Sequence, residues 1–485
     1  MSEPATKAKH PKGLYVLFFT EMWERFGFYT MLAIFMLYLD EYFHFESKGQ
    51  IYGIFLALVY FTPVMGGIIA DRWLGFRRTI ASGAVLMAIG YALLAVPIAE
   101  ESHNESSVAA AEQSYAEALA AYELRYEALQ QESEAKGVRE KFPEARPKYE
   151  GPGRMSRRPI FYLALFFLVL GNGLFKPNIS VMVGNLYAEG SPLKDAAFNI
   201  FYMGINIGAL GAGFAAASLR ATLGWEFAFG AAALGMLMSL VIFTLFRKHI
   251  EHAELGKKTK DTNSPNLDDH LSPAELKARV VALLTIFGIV ILFWMSFHQN
   301  GYTMVLWARD ATAPVFGWQV PAELFSSLNP LFVVAFTPLL VMFWSMCRRK
   351  GKEPSTPGKI GIGMLLTAAA FLILAIAGHL GGDYGRVSAG WLASAYLVVT
   401  IGELCLSPMG LSFVSKVAPA RMRGLMMGGW FAATAIGNYL SGLIGILWER
   451  WDHSTFFFFL VGTSLFAALI LRVSLNKLKA ATGGK

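Results

Sequence analysis

Glu21, Glu24 and Arg25 stand inside the first long apolar run of a 485-residue chain, at i, i+3 and i+4, so a helix puts all three on one face. Lys176, His298 and Glu403 lie deep in three other apolar runs. An ionisable residue at the centre of a lipid-spanning helix costs about 2.5–3.5 kcal/mol on insertion scales, and it marks a solute path, a proton relay or a buried pair. With His298 neutral, the six groups sum to −1, one proton short of neutrality. A buried carboxylate or a histidine is the kind of group that takes up such a proton. The plainer reading of the trio is an ion pair that holds helices together, and that of His298 is a packing histidine. Lys176 and Glu403 have no neighbour in sequence to neutralise them.

The other polar residues of the apolar runs gather in a few places. Asn199, Tyr202 and Asn206 share one run, and Asn329 precedes Pro330 in another. Ser407 and Pro408 follow Glu403 by about one turn, and Trp294, Trp430 and Asn438 lie in two further runs. Amides and aromatic rings facing one cavity suit a polar organic solute with apolar substituents. Each Trp or Tyr taken singly is better explained by packing than by ligand contact. The glycines at 204, 208, 211 and 213 fit close helix contact rather than phosphate binding.

Only a membrane-spanning helical scaffold can position such groups in this chain. It is 55% hydrophobic and 16% charged, against about 25% charged in soluble domains. Twelve apolar runs are long enough to cross about 30 Å of hydrocarbon: 13–39, 50–70, 78–98, 159–186, 195–219, 225–246, 279–306, 322–346, 358–379, 388–415, 422–447 and 453–473. The polar leader 1–12 precedes a run too long for a signal-peptide core, which is therefore read as a retained first helix. With the N-terminus inside, the inner loops and the span edges beside them hold nineteen Lys/Arg and the five short outer loops hold five. That bias places both termini in the cytoplasm, and it accounts for the net charge of +7 without nucleic acid. Cys347 and Cys405 suggest neither a disulfide framework nor a metal site.

Two loops are long. Segment 99–158, on the outer side, holds 12 Glu and 9 Lys/Arg. Its Tyr115, Leu119, Tyr122, Tyr126 and Leu129 form a helical apolar stripe. A stretch with Pro143, Pro147, Pro152 and Pro159 follows and should be extended. A helical spacer prolonging the third span is the plain expectation, and a partner-docking hairpin the sharper one. Segment 247–278 is hydrophilic and divides the chain six plus six, as in a carrier built from two similar bundles. The expected domains are an N-tail 1–12, a bundle 13–246 that includes the insert, a linker 247–278, a bundle 279–473 and a C-tail 474–485.

At this point the chain resembles the proton-coupled oligopeptide transporter family of the major facilitator superfamily. The motifs are EMWERFGFYT around the trio, GGIIADRWLGFRR (Gly66–Arg78), GNGLFKPN around Lys176, FYMGINIGAL (Phe201–Leu210), SLNPLF (Ser327–Phe332), GELCLSP (Gly402–Pro408) and MMGGWF (Met426–Phe431). Seven such stretches in order, each on its expected helix, make a specific match. The resemblance implies an all-α polytopic membrane protein with the major facilitator fold, 12 transmembrane helices in two six-helix bundles that alternate access to a central site. It implies symport of di- and tripeptides with protons. Glu21, Glu24 and Arg25 then belong to proton coupling. Lys176 faces the peptide carboxylate, while Asn206, Asn329 and Glu403 stand near the peptide amine. Tyr29, Tyr60 and Ser407 line the site, and Trp294 and Trp430 shape side-chain pockets. Asp71, Arg72, Arg77 and Arg78 form the gating loop. Binding of a zwitterion by a cation in one bundle and an anion in the other supplies the differential affinity that a conformational shift needs.

The chain departs from the family at three positions. Phe28 replaces a usual tyrosine, Leu32 a frequent arginine, and His298 a usual acid. The last two family positions pair across the outer gate in many members. Losing both partners is self-consistent, since losing one would strand a buried charge. His298 is accordingly expected to serve as the outer proton site. No cofactor beyond the coupling proton and no metal is expected. The expected partners are a small peptide, protons and the bilayer, with no nucleic acid. A monomer in a bacterial plasma (inner) membrane is the expected state. The competing readings are a related carrier of nitrate, an amino acid or another organic anion, and a non-transporting receptor or scaffold that uses the insert. An intramembrane enzyme is disfavoured, because no His-Glu-x-x-His or Gly-x-Ser-x-Gly occurs.

Overall fold

In lipid each backbone N–H and C=O must find its partner within its own segment, so the long apolar runs become helices. The computed structural model describes residues 10–97, 102–136, 147–151, 154, 156–187, 194–254, 272–382, 385–419 and 423–481. The helices in chain order are α1 (Lys12–Leu37), α2 (Lys48–Phe61), α3 (Pro63–Ile69), α4 (Phe76–Ala95), α5 (Ser102–Lys136), α6 (Arg158–Asn185), α7 (Lys194–Leu223) and α8 (Trp225–Leu245). They continue with α9 (Pro273–Phe297), α10 (Thr303–Ala311), α11 (Ala322–Ser326), α12 (Leu328–Arg349), α13 (Thr356–Gly381), α14 (Ala389–Val417), α15 (Arg423–Ile444) and α16 (His453–Ala481). Among the described residues, eleven helical segments are long and apolar enough to cross a membrane. α1 adds a further segment of 26 residues, about 39 Å at 1.5 Å per residue, that carries the charged trio.

Several spans are broken where the sequence gives a reason. The run 50–70 splits into α2 and α3 at Pro63, which lacks the N–H that would continue α2. Wide π-turns close α1 (Tyr38–Tyr42) and α3 (Ala70–Leu74). The run 279–306 breaks at a 3-10 segment, His298–Gly301, between α9 and α10. α9 begins with a capping box in which the Ser272 side chain accepts the Glu275 N–H and the Glu275 carboxylate accepts the Ser272 N–H.

The chain forms two compact units. The first comprises Met1–Ala33, Leu58–Val96 and Ile160–Pro265. In it α4 and α7 pack on α8, and Ile80, Met87, Phe175, Met182, Phe229 and Met236 are fully buried. α3 and α6 approach backbone to backbone: the Gly173 carbonyl lies so close to Gly66 that no Cβ fits there. Pro177, four residues on, has no N–H to donate to that carbonyl within α6. Thr62 Oγ1 donates to the Val169 carbonyl at 3.1 Å and Asn178 Nδ2 to the Gly66 carbonyl at 3.1 Å, which ties the two helices together.

The second unit comprises Ile34–Ala57, Pro97–Pro159 and Asn266–Lys485. It thus takes in the end of α1, the start of α2 and the insert as well as α9 to α16. α13 packs on α14 and α16, and α9 on α15 and α16. Leu283, Ile286, Val290, Phe293, Met364 and Phe413 form its dry centre. A two-residue parallel ladder joins β1 (Thr312–Ala313) to β2 (Val387–Ser388). α5 is a 35-residue helix whose Tyr122 and Tyr126 are buried, with Leu119 and Leu129 packed beside them. Residues 147–151 have no regular structure apart from a bend. Pro143, Pro152 and most of the linker (255–271) lie outside the described residues.

Candidate functional site

The spacing of the trio has the geometric consequence that helix periodicity demands. Arg25 Nε lies 3.1 Å from Glu21 Oε1 and 2.5 Å from Glu24 Oε2, with all three side chains no more than 3% exposed. The guanidinium also lies 5.2 Å from the centre of the Phe28 ring. A phenylalanine at this position still offers the cation a ring face, though no hydroxyl. Tyr29 is half-buried and meets Phe28 edge-on. Lys176, half-buried on α6, sets its ammonium 4.2 Å from the centre of the Tyr60 ring. It lies within Coulombic reach of Glu21, Glu24 and Arg25. Among the described residues no carboxylate forms an ion pair with it. Asn206 is buried on α7 and donates its amide to the Tyr202 carbonyl of its own helix at 2.9 Å.

In the second unit, Glu403 Oε2 accepts a hydrogen bond from Asn329 Nδ2 at 2.9 Å, and the same amide donates to Thr400 Oγ1 at 3.0 Å. α12 and α14 pack together, which brings these side chains into register. Among the described residues Glu403 pairs with no cation. Ser407 stands one turn further along α14 and is half-buried. The Trp430 ring fills the space beside Gly410, where a Cβ would overlap it. Trp294 is buried, with an indole N–H that meets no acceptor among the described residues. Its ring stacks on the imidazole of His298, 5.2 Å between centres. His298 opens the 3-10 break after α9, so its ring lies where the helix ladder is interrupted.

The gating loop is a π-turn followed by Gly75 at φ 77°, a conformation that favours glycine, and then by the first turn of α4. Arg77 pairs with Glu254 at 3.4 Å, and its backbone N–H donates to the same carboxylate at 3.3 Å. A carboxylate at a helix N-terminus also meets the positive end of the helix dipole. Arg72 and Arg78 are exposed. The Asp71 side chain, like that of Asn199, lies outside the described residues.

One cluster escaped sequence reasoning. Beyond the apolar run of α1, Arg309 Nη1 reaches Asp40 Oδ2 at 2.7 Å and Glu41 Oε1 at 3.1 Å. Lys48 pairs with Asp40 at 2.7 Å and with Glu449. Burial alone would raise the Asp40 carboxyl, but Arg309 and Lys48 more than offset it and hold the carboxyl well below its ordinary range. Beside these pairs Gly49 and Gly53 press directly on the backbone of Gly442, where no side chain fits. Lys48 and Arg309 were counted only as loop charges, since Asp40 lies 269 residues from Arg309 and Glu449 lies farther still from Lys48. Among the described residues, no group of three His, Cys, Asp or Glu side chains is placed to hold a metal ion.

Comparison with known proteins adds a family. The POT family model matches residues 77–267 and 272–456. A peptide transporter from Yersinia enterocolitica is 30% identical over 504 aligned positions, covering 90% of this chain and 88% of its own. A di-/tripeptide transporter from Lactococcus lactis subsp. cremoris is 28% identical, covering 92% of this chain and 91% of its own. Among solved structures, a peptide transporter POT in complex with sulfate superposes with a TM-score of 0.78 at 26% identity, covering 98% of this chain and 96% of its own.

Proposed function

The chain belongs to the POT family, and from that premise we propose that it imports di- and tripeptides together with protons. It is a multi-pass membrane protein of the all-helical fold of that family. The observation that carries the reading is a pair of unmatched charges in membrane helices. Lys176 holds a cation and Glu403 an anion, and among the described residues neither has an opposite charge as partner. A charge in a membrane helix without an ion-pair partner is costly, and a zwitterionic peptide brings both partners with it. Lys176 takes the carboxylate. Glu403, oriented by Asn329, takes the ammonium, with Asn206 near it. Tyr29, Tyr60, Ser407, Trp294 and Trp430 line the remaining volume.

The trio of α1 and His298 handle the coupling proton, and no other cofactor is needed. The cargo leaves chemically unchanged. Arg72, Arg77 and Arg78, with Asp71, belong to the inner gating loop. The protein works as a monomer in a bacterial plasma membrane, with both termini cytoplasmic and the insert outside. The names of the relatives support the substrate class, because peptides are what those proteins are named for carrying.

The test is uptake of labelled dialanine into proteoliposomes. An inward proton gradient should drive accumulation, unlabelled dipeptides should compete, and nitrate and free amino acids should not. Glu403→Gln should lose accumulation. Competition by nitrate or a free amino acid in place of dipeptides would overturn the substrate assignment. His298→Gln should abolish gradient-driven accumulation and spare counterflow exchange, and unchanged driven uptake would remove His298 from proton coupling.

A further inference from the structure

The insert is joined in sequence to α4 and α6 of the first unit, but it folds as part of the second. Its helix converges on one residue, Arg386, just ahead of β2. The Arg386 backbone N–H donates to Tyr126 Oη at 2.7 Å. Its guanidinium lies 4.9 Å from the centre of the Tyr126 ring. One terminal nitrogen donates to both oxygens of Glu123, at 2.6 and 2.7 Å. A hydrogen bond, a cation–ring contact and an ion pair thus act on a single arginine, and the pairing of Val387 with Thr312 braces the segment that carries it.

Tyr149, Arg154 and Arg157 of the insert are fastened to the stretch that ends α1. Arg157 Nη1 donates to Tyr42 Oη at 2.6 Å, and Arg154 lies 4.5 Å from the centre of the same ring. Arg154 also reaches Glu112 on α5 at 2.5 Å. The Tyr149 ring stacks on His44 at 3.6 Å. The described residues of the insert therefore bridge the end of α1 and the segment that opens α14. A cavity of about 650 Å³ is lined by the insert (Glu112, Glu123), by Arg386 and by the ion pairs of Asp40, Lys48, Arg309 and Glu449.

We propose that the insert is a latch on the outer gate, with Arg386, gripped by Glu123 and Tyr126, as a positioning residue that must be released whenever the outer end opens. The proposal rests on the carrier reading given above. Arg386 and Glu123 are 19% and 33% exposed, so the ion pair biases the gate without locking it. Partly solvated pairs of this kind shift equilibria by a few-fold. Releasing the latch raises the share of carriers open to the outside, and apparent affinity for external peptide rises in proportion to that share.

The test compares Glu123→Gln, Arg386→Ala and the exchange of charges, Glu123→Arg with Arg386→Glu, in proteoliposomes supplied with external dialanine. Each single change should lower the apparent KM about threefold, and the exchange should return it toward the original value. A part in folding alone would lower the maximal rate and leave KM where it was. Unchanged KM in the single variants, or no recovery in the exchange, overturns the latch. If Arg386→Ala does not fold, Glu123→Gln, which keeps its shape, decides the matter by itself. Failure of the carrier reading shows separately, as original protein that accumulates no dialanine. Amide exchange over α5 then settles the latch: faster exchange in Glu123→Gln supports it, and equal exchange overturns it.

Discussion

Two ionic clusters made of the same chemical groups sit in different settings. Glu21, Glu24 and Arg25 lie within five residues of one another on one helix and are almost wholly buried. Asp40, Glu41, Lys48, Arg309 and Glu449 come from four separate stretches of chain and are 13–41% exposed. A dry pair that loses one member strands a charge in low dielectric, while a wet pair that loses one member is rescued by water. The first arrangement therefore punishes the loss of one partner, and the second tolerates it.

Experiments can break this contrast. The largest effect should come from Arg25→Met, which leaves two carboxylates buried without their cation. It should cost about 3–5 kcal/mol of stability, read as a lower thermal unfolding midpoint in detergent. A loss below about 1 kcal/mol would show that water already reaches the trio. Lys176→Ala should reduce gradient-driven dialanine uptake by about 100-fold, equivalent to about 2.7 kcal/mol. Its unfolding midpoint should stay near that of the original chain, because Lys176 forms no ion pair to lose among the described residues. Full uptake would take Lys176 out of the mechanism.

Arg309→Met probes the wet cluster and should cost only about 1 kcal/mol. A loss as large as that of Arg25→Met would erase the distinction. The smallest effect belongs to Glu353 in the loop between α12 and α13. Hydrogen bonds from Arg348 and Lys359 lower its carboxyl from 4.5 to about 2. Below 4.5 the unfolded chain binds this proton and the folded chain does not, so the stabilisation is complete above that pH and is lost as pH falls toward 2. Glu353→Gln should lower the unfolding midpoint by a degree or so at neutral pH and by nothing at the acid end of that window.

The sequence exposed what is local. Hydropathy located the spans because an apolar run of about twenty residues can satisfy its backbone in lipid within itself only as a helix. Spacing put Glu21, Glu24 and Arg25 on one face because a helix repeats every 3.6 residues. The tyrosine stripe of the insert was visible for the same reason. Its counterpart was not, since Arg386 lies 260 residues beyond Tyr126 and nothing in a loop arginine reveals which ring it will meet. Pro63, where α2 gives way to α3, and Pro177, inside α6, were visible as prolines, but that Gly173 would press on Gly66 depends on how two helices cross. The Asn329–Glu403 contact likewise depends on α12 meeting α14. Arg309 and Lys48 informed orientation through their charge, whereas their partners emerge only from the packing of the second unit.

The seam where Gly49 and Gly53 meet Gly442 has a kinetic meaning. Side chains that interlock must give up rotamer freedom on every closure, a loss of up to about 2 kcal/mol for the long flexible ones. Glycines have no rotamers to freeze, so bare main chain can seal and part again many times with little entropic drag. A single methyl group at Gly442 would overlap the Gly49 carbonyl and the Gly53 Cα, so only glycine lets these two helices meet so closely.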